Sequence, residues 1–490
     1  MSSYFGGYVL PEKASSHHFL IVGKSGSGKT LTLRMLMGTA LPAVLRLPDQ
    51  RAVVFDVKQD MLAILAGMGI PDDSVVILNP YDKRCSAWDM AADITAPETA
   101  LQLATILIPQ EESSNNRYFS DAARDLLWGV IEVFNTTAPL RWNFADLLYA
   151  MRHPDRLRHV LSQTLEGEEL IALHLNAGNT SRSVLGTARA FLAPFGVIAA
   201  TWSHAWHSGR KVSLRAFLTQ NQILVLGNNQ AAISAIQAIN RVLFQRLTEL
   251  ILDQTESETR RCWFFLDEVR KLGKLEGLDD LMIAGRSKGS CVVLGFQAIE
   301  GMRAVYGPDI AEEIVSMCGS IGVLKVSGVA TPRWASEIFG EQEVREETRS
   351  VSEATTAGPS ASQTITETTN ETIRERRMYL PSEFHLIPLP ERGKSLFGYF
   401  RSEFRLSKPY YAEIPPTEVA RRLHPLDLDR SNFEPWPDNS AKYLPSWESA
   451  DYERLGIPPV PPSPPSSGAG DPGGPNDPGD PGAFRDPNAS

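Results

Sequence analysis

The sequence has few cysteines and no long apolar run. Four cysteines occur in 490 residues, at positions 85, 262, 291 and 318, and they form no C-x-x-C pair. This spacing favours buried, reduced thiols over disulfides or a metal site. No stretch approaches the ~18 uncharged apolar residues of a membrane-spanning helix; the nearest, residues 190–202, contains Pro194. The first residues also lack a signal-peptide pattern, so we expect a soluble, cytoplasmic chain without its own transmembrane segment.

An excess of positive charge is absent as well. The formal net charge is −10, but it is unevenly distributed along the chain. Residues 341–490 carry 24 acidic and 16 basic residues, whereas residues 1–340 carry 34 and 32. The larger part is therefore nearly neutral, and basic loops on it could still contact phosphates. Net charge neither supports nor excludes a nucleic-acid partner.

A glycine-rich segment near the N-terminus carries the strongest motif. Residues 21–35 read IVGKSGSGKTLTLRM, which matches G-x-x-x-x-G-K-[ST] and follows an apolar run. Glycines let successive backbone N–H groups point into one concave site, and a helix start adds the positive end of its dipole. We expect this loop to bind nucleotide phosphates, with Lys29 on the β- and γ-phosphates and the Thr30 hydroxyl on Mg²⁺. The expected nucleotide-binding residues are Gly23, Lys24, Ser25, Gly26, Ser27, Gly28, Lys29 and Thr30.

Seven short apolar runs predict the fold class. They read as continuous apolar strands, the pattern of a parallel sheet covered on both faces. Helical segments separate several of them, so we predict a doubly wound α/β core. The runs are HFLIVG, AVVFDVK, SVVILN, QILVLGN, CWFFLDEV, CVVLGFQ and SIGVLKVSG.

Changes in sequence pattern and composition divide the chain into four parts. Residues 88–218 show helical spacing and no β runs, which predicts an inserted all-α domain. Residues 1–87 and 219–415 would then form the nucleotide-binding domain, with Asn228 or Asn229 capping a long helix after the insertion. Residues 416–456 form a C-terminal extension, and the Pro/Gly-rich residues 457–490 are expected to be disordered. The Ser/Thr/Glu-rich residues 345–371 are expected to form a mobile loop.

Two carboxylates follow one of the predicted strands. In RRCWFFLDEVRKLG, Asp267 can hold the Mg²⁺ shell, and Glu268 can polarise a water for attack on the γ-phosphate. Gln297 ends the next predicted strand and could orient that water. Arg286 lies in the short basic turn GRSKG and could face a neighbouring subunit's nucleotide as an arginine finger. For Gln297 and Arg286, the pattern alone leaves a solvated surface role equally open.

Four segments together resemble the type IV coupling proteins of the TraG/TraD/TrwB group. The resemblance spans Tyr8 to Phe404, with its most specific part at Trp263–Gly307. It implies a RecA-like ATPase of the FtsK/HerA class that uses ATP and Mg²⁺, assembles as a homo-hexamer and translocates DNA without sequence preference. Relaxase and type IV secretion channel proteins would be its partners. The segments are GKSGSGKT, VVFDVKQDMLAIL, WFFLDEVRKLGKLEGLDDLMIAGRSKGSCVVLGFQAIEGMRAVYG and RRMYLPSEFHLIPLPERG.

The resemblance also suggests roles for single residues. It puts Lys29 and Thr30 on phosphates and Mg²⁺, Asp267 on Mg²⁺, and Glu268 on water. Gln297 falls at the family's γ-phosphate-sensing position, and Arg286 falls in its trans-acting arginine segment. Asp56 and Lys58 match a family signature, DVK, whose default interpretation is a structural ion pair.

One departure from the family concerns the membrane. Family members usually begin with transmembrane helices, whereas the glycine-rich loop here begins at Gly23. A separate membrane anchor recruiting the chain to the inner face of the membrane, a cytosolic relative and a truncated sequence are all compatible with this.

Three functions are therefore left open by the sequence. The first is a conjugative coupling motor that pumps DNA. The second is an FtsK/HerA-class DNA pump outside conjugation. The third is a nucleotide-gated docking protein for secreted proteins, against which the intact Glu268 and Gln297 argue.

Overall fold

The computed structural model describes residues 2–111, 114–176, 178–356, 362–391, 393–405, 408–437 and 439–459. Of the predicted disordered tail, residues 460–490 lie outside the described part of the chain. The described residues form fifteen strands: β1 Ser3–Phe5, β2 Tyr8–Leu10, β3 Phe19–Val22, β4 Gln50–Phe55, β5 Val75–Leu78, β6 Ala87–Trp88, β7 Lys211–Val212, β8 Ile223–Leu226, β9 Arg261–Leu266, β10 Ser290–Phe296, β11 Ser320–Val323, β12 Glu341–Thr356, β13 Ser362–Arg377, β14 Leu396–Ser402 and β15 Tyr410–Ile414.

The α-helices of the described residues are α1 Lys29–Val44, α2 Met61–Gly67, α3 Met90–Asp93, α4 Pro97–Leu107, α5 Ser114–Thr137, α6 Phe144–Met151, α7 Pro154–Leu161, α8 Leu165–Leu170, α9 Asn179–Leu192, α10 Gly196–His207, α11 Leu214–Phe217, α12 Ile233–Leu252, α13 Leu278–Ile283, α14 Ile299–Tyr306, α15 Pro308–Ser316, α16 Ala330–Phe339, α17 Pro381–Leu386, α18 Pro416–Arg422 and α19 Ser449–Leu455.

A nine-stranded sheet forms the centre of the molecule, in the order β15-β14-β11-β3-β10-β9-β4-β8-β5. All seven predicted apolar runs are strands of this sheet, and they run parallel to one another. Their side chains are almost entirely buried because helices cover both faces. The predicted α/β class is therefore confirmed. The antiparallel strands β14 and β15 extend this sheet beyond β11.

The segment between β6 and β7 is helical. It contains α3 to α10, and the two short strands pair at its ends, Ala87 with Lys211 and Trp88 with Val212. The sequence pattern missed these two-residue strands, since two residues are too short to show periodicity. The division of the chain into the four predicted parts stays a prediction.

One stretch of this segment is apolar enough to pass a test for membrane spans. Among the described residues, Asn179–His207 alone meets it by length and composition, with a mean hydropathy of 1.5 over its most apolar window. It consists of α9 and α10, joined by a turn that contains Pro194. Of that window, 44% is buried inside the protein, and Ile198 and Trp202 lie in the core. Core helices of globular proteins pass the same test, so this is weak evidence for a span.

Two local predictions were wrong. Residues 345–371 do not form a loop throughout, because β12 and β13 pair in antiparallel register from Glu341 with Arg377 to Thr356 with Ser362. Sixteen residues in each strand give a hairpin roughly 50 Å long. Helix α12 begins after Ala232 rather than at an asparagine cap. The Asn228 side chain bonds to the loop after β4 instead, because its Nδ2 donates to the backbone oxygen of Val57 at 3.1 Å.

Residues 416–457, which we call the C-terminal strap, run from the central sheet to the helical segment. Asn432 Oδ1 accepts from the backbone N–H of Ala63 in α2 at 2.8 Å, and Trp436 Nε1 donates to the oxygen of Pro80 at 3.0 Å. Further along, Arg454 donates to both carboxylate oxygens of the buried Asp146 in α6, each at 2.8 Å. The strap therefore holds both parts of the molecule.

We predict that Arg454→Ala destabilises the protein by about 3–5 kcal/mol, because it leaves the buried carboxylate of Asp146 without its cation. A matched control is Arg421→Ala, since Arg421 is exposed and pairs with Glu418 on the surface. That change should cost at most about 1 kcal/mol. Chemical unfolding of the two variants measures both effects, and equal losses would contradict the role given to the buried pair.

Candidate nucleotide site

The glycine-rich loop lies between β3 and α1, where backbone geometry requires glycine. Gly28 has φ of +98° and precedes the first residue of α1, a helix of 16 residues. A Cβ on Gly28 would lie 2.3 Å from Leu396 Cδ1, and a Cβ on Gly23 would lie 2.3 Å from Ser27 Oγ. Side chains at these two positions would therefore collide with residues packed against the loop. Gly26, at φ of +78°, is exposed at the tip of the loop.

Backbone hydrogen bonds tie this loop to two neighbouring strands. The N–H of Gly23 donates to Phe296 O at 3.2 Å, and the N–H of Lys24 donates to Lys325 O at 2.8 Å. Ser27 is fully buried beneath the loop, whereas Ser25 is exposed beside Gly26. The loop is thus fixed to the carboxyl ends of β10 and β11, with its tip toward solvent.

Lys29 faces the two carboxylates that follow β9. Its Nζ donates to Glu268 Oε1 at 2.6 Å and lies 3.4 Å from Asp267 Oδ1. The lysine side chain is only 5% exposed, so these charge interactions act where water screens little. The structure thus brings together residues that are more than 230 positions apart in the chain.

Glu268 sits in a strained conformation and is held by two donors. Its φ of +57° and ψ of +48° place a non-glycine residue in the left-handed region, as is frequent at functional sites. Gln297, directly after β10, donates through Nε2 to both oxygens of Glu268 at 3.1 Å. Burial opposes ionisation, but the hydrogen bonds from Lys29 and Gln297 outweigh it and hold the pKa of Glu268 below its usual value. The ionised carboxylate can accept a proton from water.

Asp267 offers a buried oxygen that suits a cation. Its Oδ1 accepts no hydrogen bond within the described part of the chain, although Lys29 lies at ion-pair distance. Gly295 of β10 makes room for it, because a Cβ there would lie 2.9 Å from this oxygen. The other carboxylate oxygen of Asp267 and the Thr30 hydroxyl both accept from Lys58 Nζ, and oxygen ligands of these kinds are what Mg²⁺ prefers. The glycine cradle and these oxygens fit a nucleotide phosphate chain with Mg²⁺.

Lys58 is a site residue that sequence reasoning left without a role. Its Nζ donates to Thr30 Oγ1 at 2.6 Å and to Asp267 Oδ2 at 3.0 Å. Lys58 does form an ion pair, but with Asp267 and not with Asp56, whose carboxylate accepts from the backbone N–H of Asp60 at 3.1 Å. Burial raises the pKa of Asp56 to about 6. Lys58 lies three residues after the end of β4, a strand parallel to β9, and this placement was the signal that could have located it.

Arg286 lies apart from the other predicted site residues. It is exposed in a turn that ends just before β10 begins, whereas Gln297 follows the end of the same strand. Seven residues of strand separate the two ends by roughly 20 Å. Arg286 is therefore on the opposite edge of the sheet from the glycine-rich loop of its own chain, in a cleft shared with His17 and Glu256.

Comparisons with known proteins agree with one another. A family model described as the type IV secretion-system coupling protein DNA-binding domain matches residues 2–399. The coupling protein TraD of Escherichia coli (strain K12) is 22% identical over 354 residues, which cover 69% of this chain but only 46% of TraD. The chain thus matches less than half the length of that relative.

Solved structures of the bacterial conjugative coupling protein TrwB have the same fold, a RecA-like nucleotide-binding core with a helical domain. The unbound form lacking 70 N-terminal residues has a TM-score of 0.64 at 23% identity, covering 88% of this chain and 91% of that one. TrwB in complex with the ATP analogue ADPNP has a TM-score of 0.63 at 22% identity, covering 89% and 92%. The resemblance seen in the motifs is confirmed: the chain belongs to the family of type IV secretion-system coupling proteins.

Proposed function

We propose that this protein is an ATP-driven, DNA-translocating motor that delivers a DNA–relaxase substrate to a type IV secretion channel. The observation that carries the proposal is the convergence of Lys29, Asp267, Glu268 and Gln297 at one sheet edge. The matching family model is that of a DNA-binding domain, and relatives have been solved with ADPNP and with ADP and Mg²⁺. ATP and Mg²⁺ are the ligands that this site would take.

Each residue would have a separate task in hydrolysis. The loop N–H groups and Lys29 bind the phosphates, and Thr30 and Asp267 supply oxygens for a metal. Bound Mg²⁺ would neutralise charge on the β- and γ-phosphate oxygens. Glu268 takes a proton from the attacking water, and Gln297, which donates to Glu268, holds the carboxylate and senses the γ-phosphate.

A ring assembly would complete the site. Arg286 lies too far from its own glycine-rich loop to act there, so we propose that it reaches the nucleotide of a neighbouring subunit in a homo-hexamer. Its planar guanidinium can contact two phosphate oxygens at once. We also propose that the ring works in the cytoplasm, recruited to the inner face of the membrane by channel proteins or a separate anchor.

The helical segment, residues 88–218, would contact the relaxosome. A DNA pump outside conjugation would use the same hydrolytic residues, so DNA-stimulated ATPase activity fits both. Delivery of a relaxase-linked DNA strand would distinguish the conjugative motor from a DNA pump outside conjugation. A docking protein that moves no DNA would need no hydrolysis, and its ATPase rate would not respond to DNA.

We predict that Lys29→Ala weakens ATP binding, whereas Glu268→Gln binds ATP but hydrolyses it at least ~10²-fold more slowly. Glu313→Gln is the control, because Glu313 is exposed on α15. Steady-state ATPase rates and nucleotide titrations with the purified proteins provide the measurement. Near-normal turnover by Glu268→Gln would show that Glu268 does not take part in hydrolysis.

We predict that Arg286→Ala binds ATP normally but hydrolyses it ~10³-fold more slowly. Lys288→Ala, in the same turn, should keep its activity. Mixing Arg286→Ala with Lys29→Ala protein should restore some hydrolysis, because mixed rings regain sites with one intact loop and one intact arginine. If subunits exchange and the mixture stays inactive, Arg286 does not act in trans.

We predict that DNA binding is sequence-independent and weakens steeply as salt rises, because a translocase must hold every phosphate backbone alike. Two oligonucleotides of equal length and unrelated sequence should bind within about threefold of each other. Fluorescence anisotropy between 50 and 200 mM salt, roughly the range over which phosphate contacts lose most affinity, measures both effects. A DNA affinity that does not change with salt concentration would contradict binding to the phosphate backbone.

A further inference from the structure

Lys58 contacts both residues proposed to hold the metal. Its ammonium group is 2.6 Å from Thr30 Oγ1 and 3.0 Å from Asp267 Oδ2, while Lys29 approaches the other oxygen of Asp267 at 3.4 Å. One carboxylate is therefore flanked by two lysines. A cation placed here lies beside the position where the β- and γ-phosphates share a metal ion in nucleotide sites of this kind.

Backbone hydrogen bonds fix the loop that carries Lys58. Asp56 accepts from the N–H of Asp60, and Asn228 Nδ2 donates to the oxygen of Val57. Gln59 has φ of +55° and donates through Nε2 to the oxygen of Asn228. A residue in the left-handed region, within a loop held by hydrogen bonds to the segment after β8, is typical of a positioned functional loop. The direction of Lys58 is therefore set by its surroundings and not by a surface ion pair alone.

The charges of the site also depend on Lys58. Lys29 and Lys58 are the cations paired directly with the carboxylates of Asp267 and Glu268. Arg34 and Asp60 add one further charge of each sign close by. Lys29 lies beside Oδ1 of Asp267 and bonds to Glu268, whereas Lys58 bonds to Oδ2 of Asp267 and to Thr30. The two lysines therefore contact different oxygens of the carboxylate proposed to hold the metal.

We propose that Lys58 is a second phosphate-facing cation of this site, which binds the terminal phosphate of a nucleoside triphosphate and so distinguishes triphosphate from diphosphate. This inference rests on the proposed nucleotide site. Since a diphosphate lacks the group that Lys58 would contact, its affinity should depend little on this lysine.

The test compares Lys58→Met with wild type, using ADPNP and ADP as probes, each with Mg²⁺, in isothermal titration calorimetry. We expect the Kd for ADPNP to rise about tenfold or more, as for loss of a hydrogen bond from a charged group, and the Kd for ADP to rise less than about threefold. Lys58→Arg, which keeps the charge, should recover part of the ADPNP affinity. Thermal unfolding without nucleotide monitors folding of each variant, and Lys58→Gln replaces Lys58→Met should that variant fail to fold.

Lys83→Met is the matched control. Lys83 is 47% exposed against 39% for Lys58, and it also pairs with a carboxylate, that of Glu434. It should leave both affinities unchanged. Equal losses for ADPNP and ADP in Lys58→Met would show a general structural effect and overturn the inference, as would unchanged ADPNP affinity. Wild-type protein that binds neither probe would overturn the proposed function and this inference with it.

Discussion

The parallel register of three central strands is the constraint on which the candidate site depends. β10 lies between β3 and β9, with Phe296 beside Val22 and Leu294 beside Leu266. Parallel strands end at a common edge, so the glycine-rich loop, the Asp267–Glu268 pair and Gln297 come together there. A slip of one residue would turn every side chain to the opposite face. The buried apolar side chains on both faces oppose such a slip.

The parallel strand arrangement also places the carboxylate of Asp267 where it needs positively charged partners. Its carboxylate is only 12% exposed, and a charge held so far from water is costly unless it is paired. Two lysines from different parts of the chain, Lys29 and Lys58, supply the pairing. The small Gly295 on the neighbouring strand leaves space for one of its oxygens. The same interactions that make the buried carboxylate tolerable leave it positioned for a cation and a phosphate chain.

The site is also connected to the rest of the molecule. The loop that carries Lys58 leads directly into α2, and α2 is bonded to the C-terminal strap at Ala63. The strap continues to Asp146 in the helical segment, where Arg454 and Trp447 hold it. Hydrogen bonds from the strap therefore reach both α2, next to the loop of Lys58, and Asp146 in the helical segment.

The sequence by itself determined the seven parallel strands of the central sheet and predicted the chemistry of the glycine-rich loop. Seven apolar runs predicted seven buried strands, and the spacing of Gly23, Gly28 and Lys29 predicted a phosphate loop, because both signals are local. The 341–377 hairpin was missed, since its strands are polar and lack any apolar alternation. Lys58 and Asp56 matched a known signature, yet the partner of Lys58, Asp267, lies 209 positions away in sequence. Only the tertiary structure decided that Lys58 faces Asp267 and that Arg286 lies on the far edge of the sheet, because strand order, and not residue type, sets which loops meet.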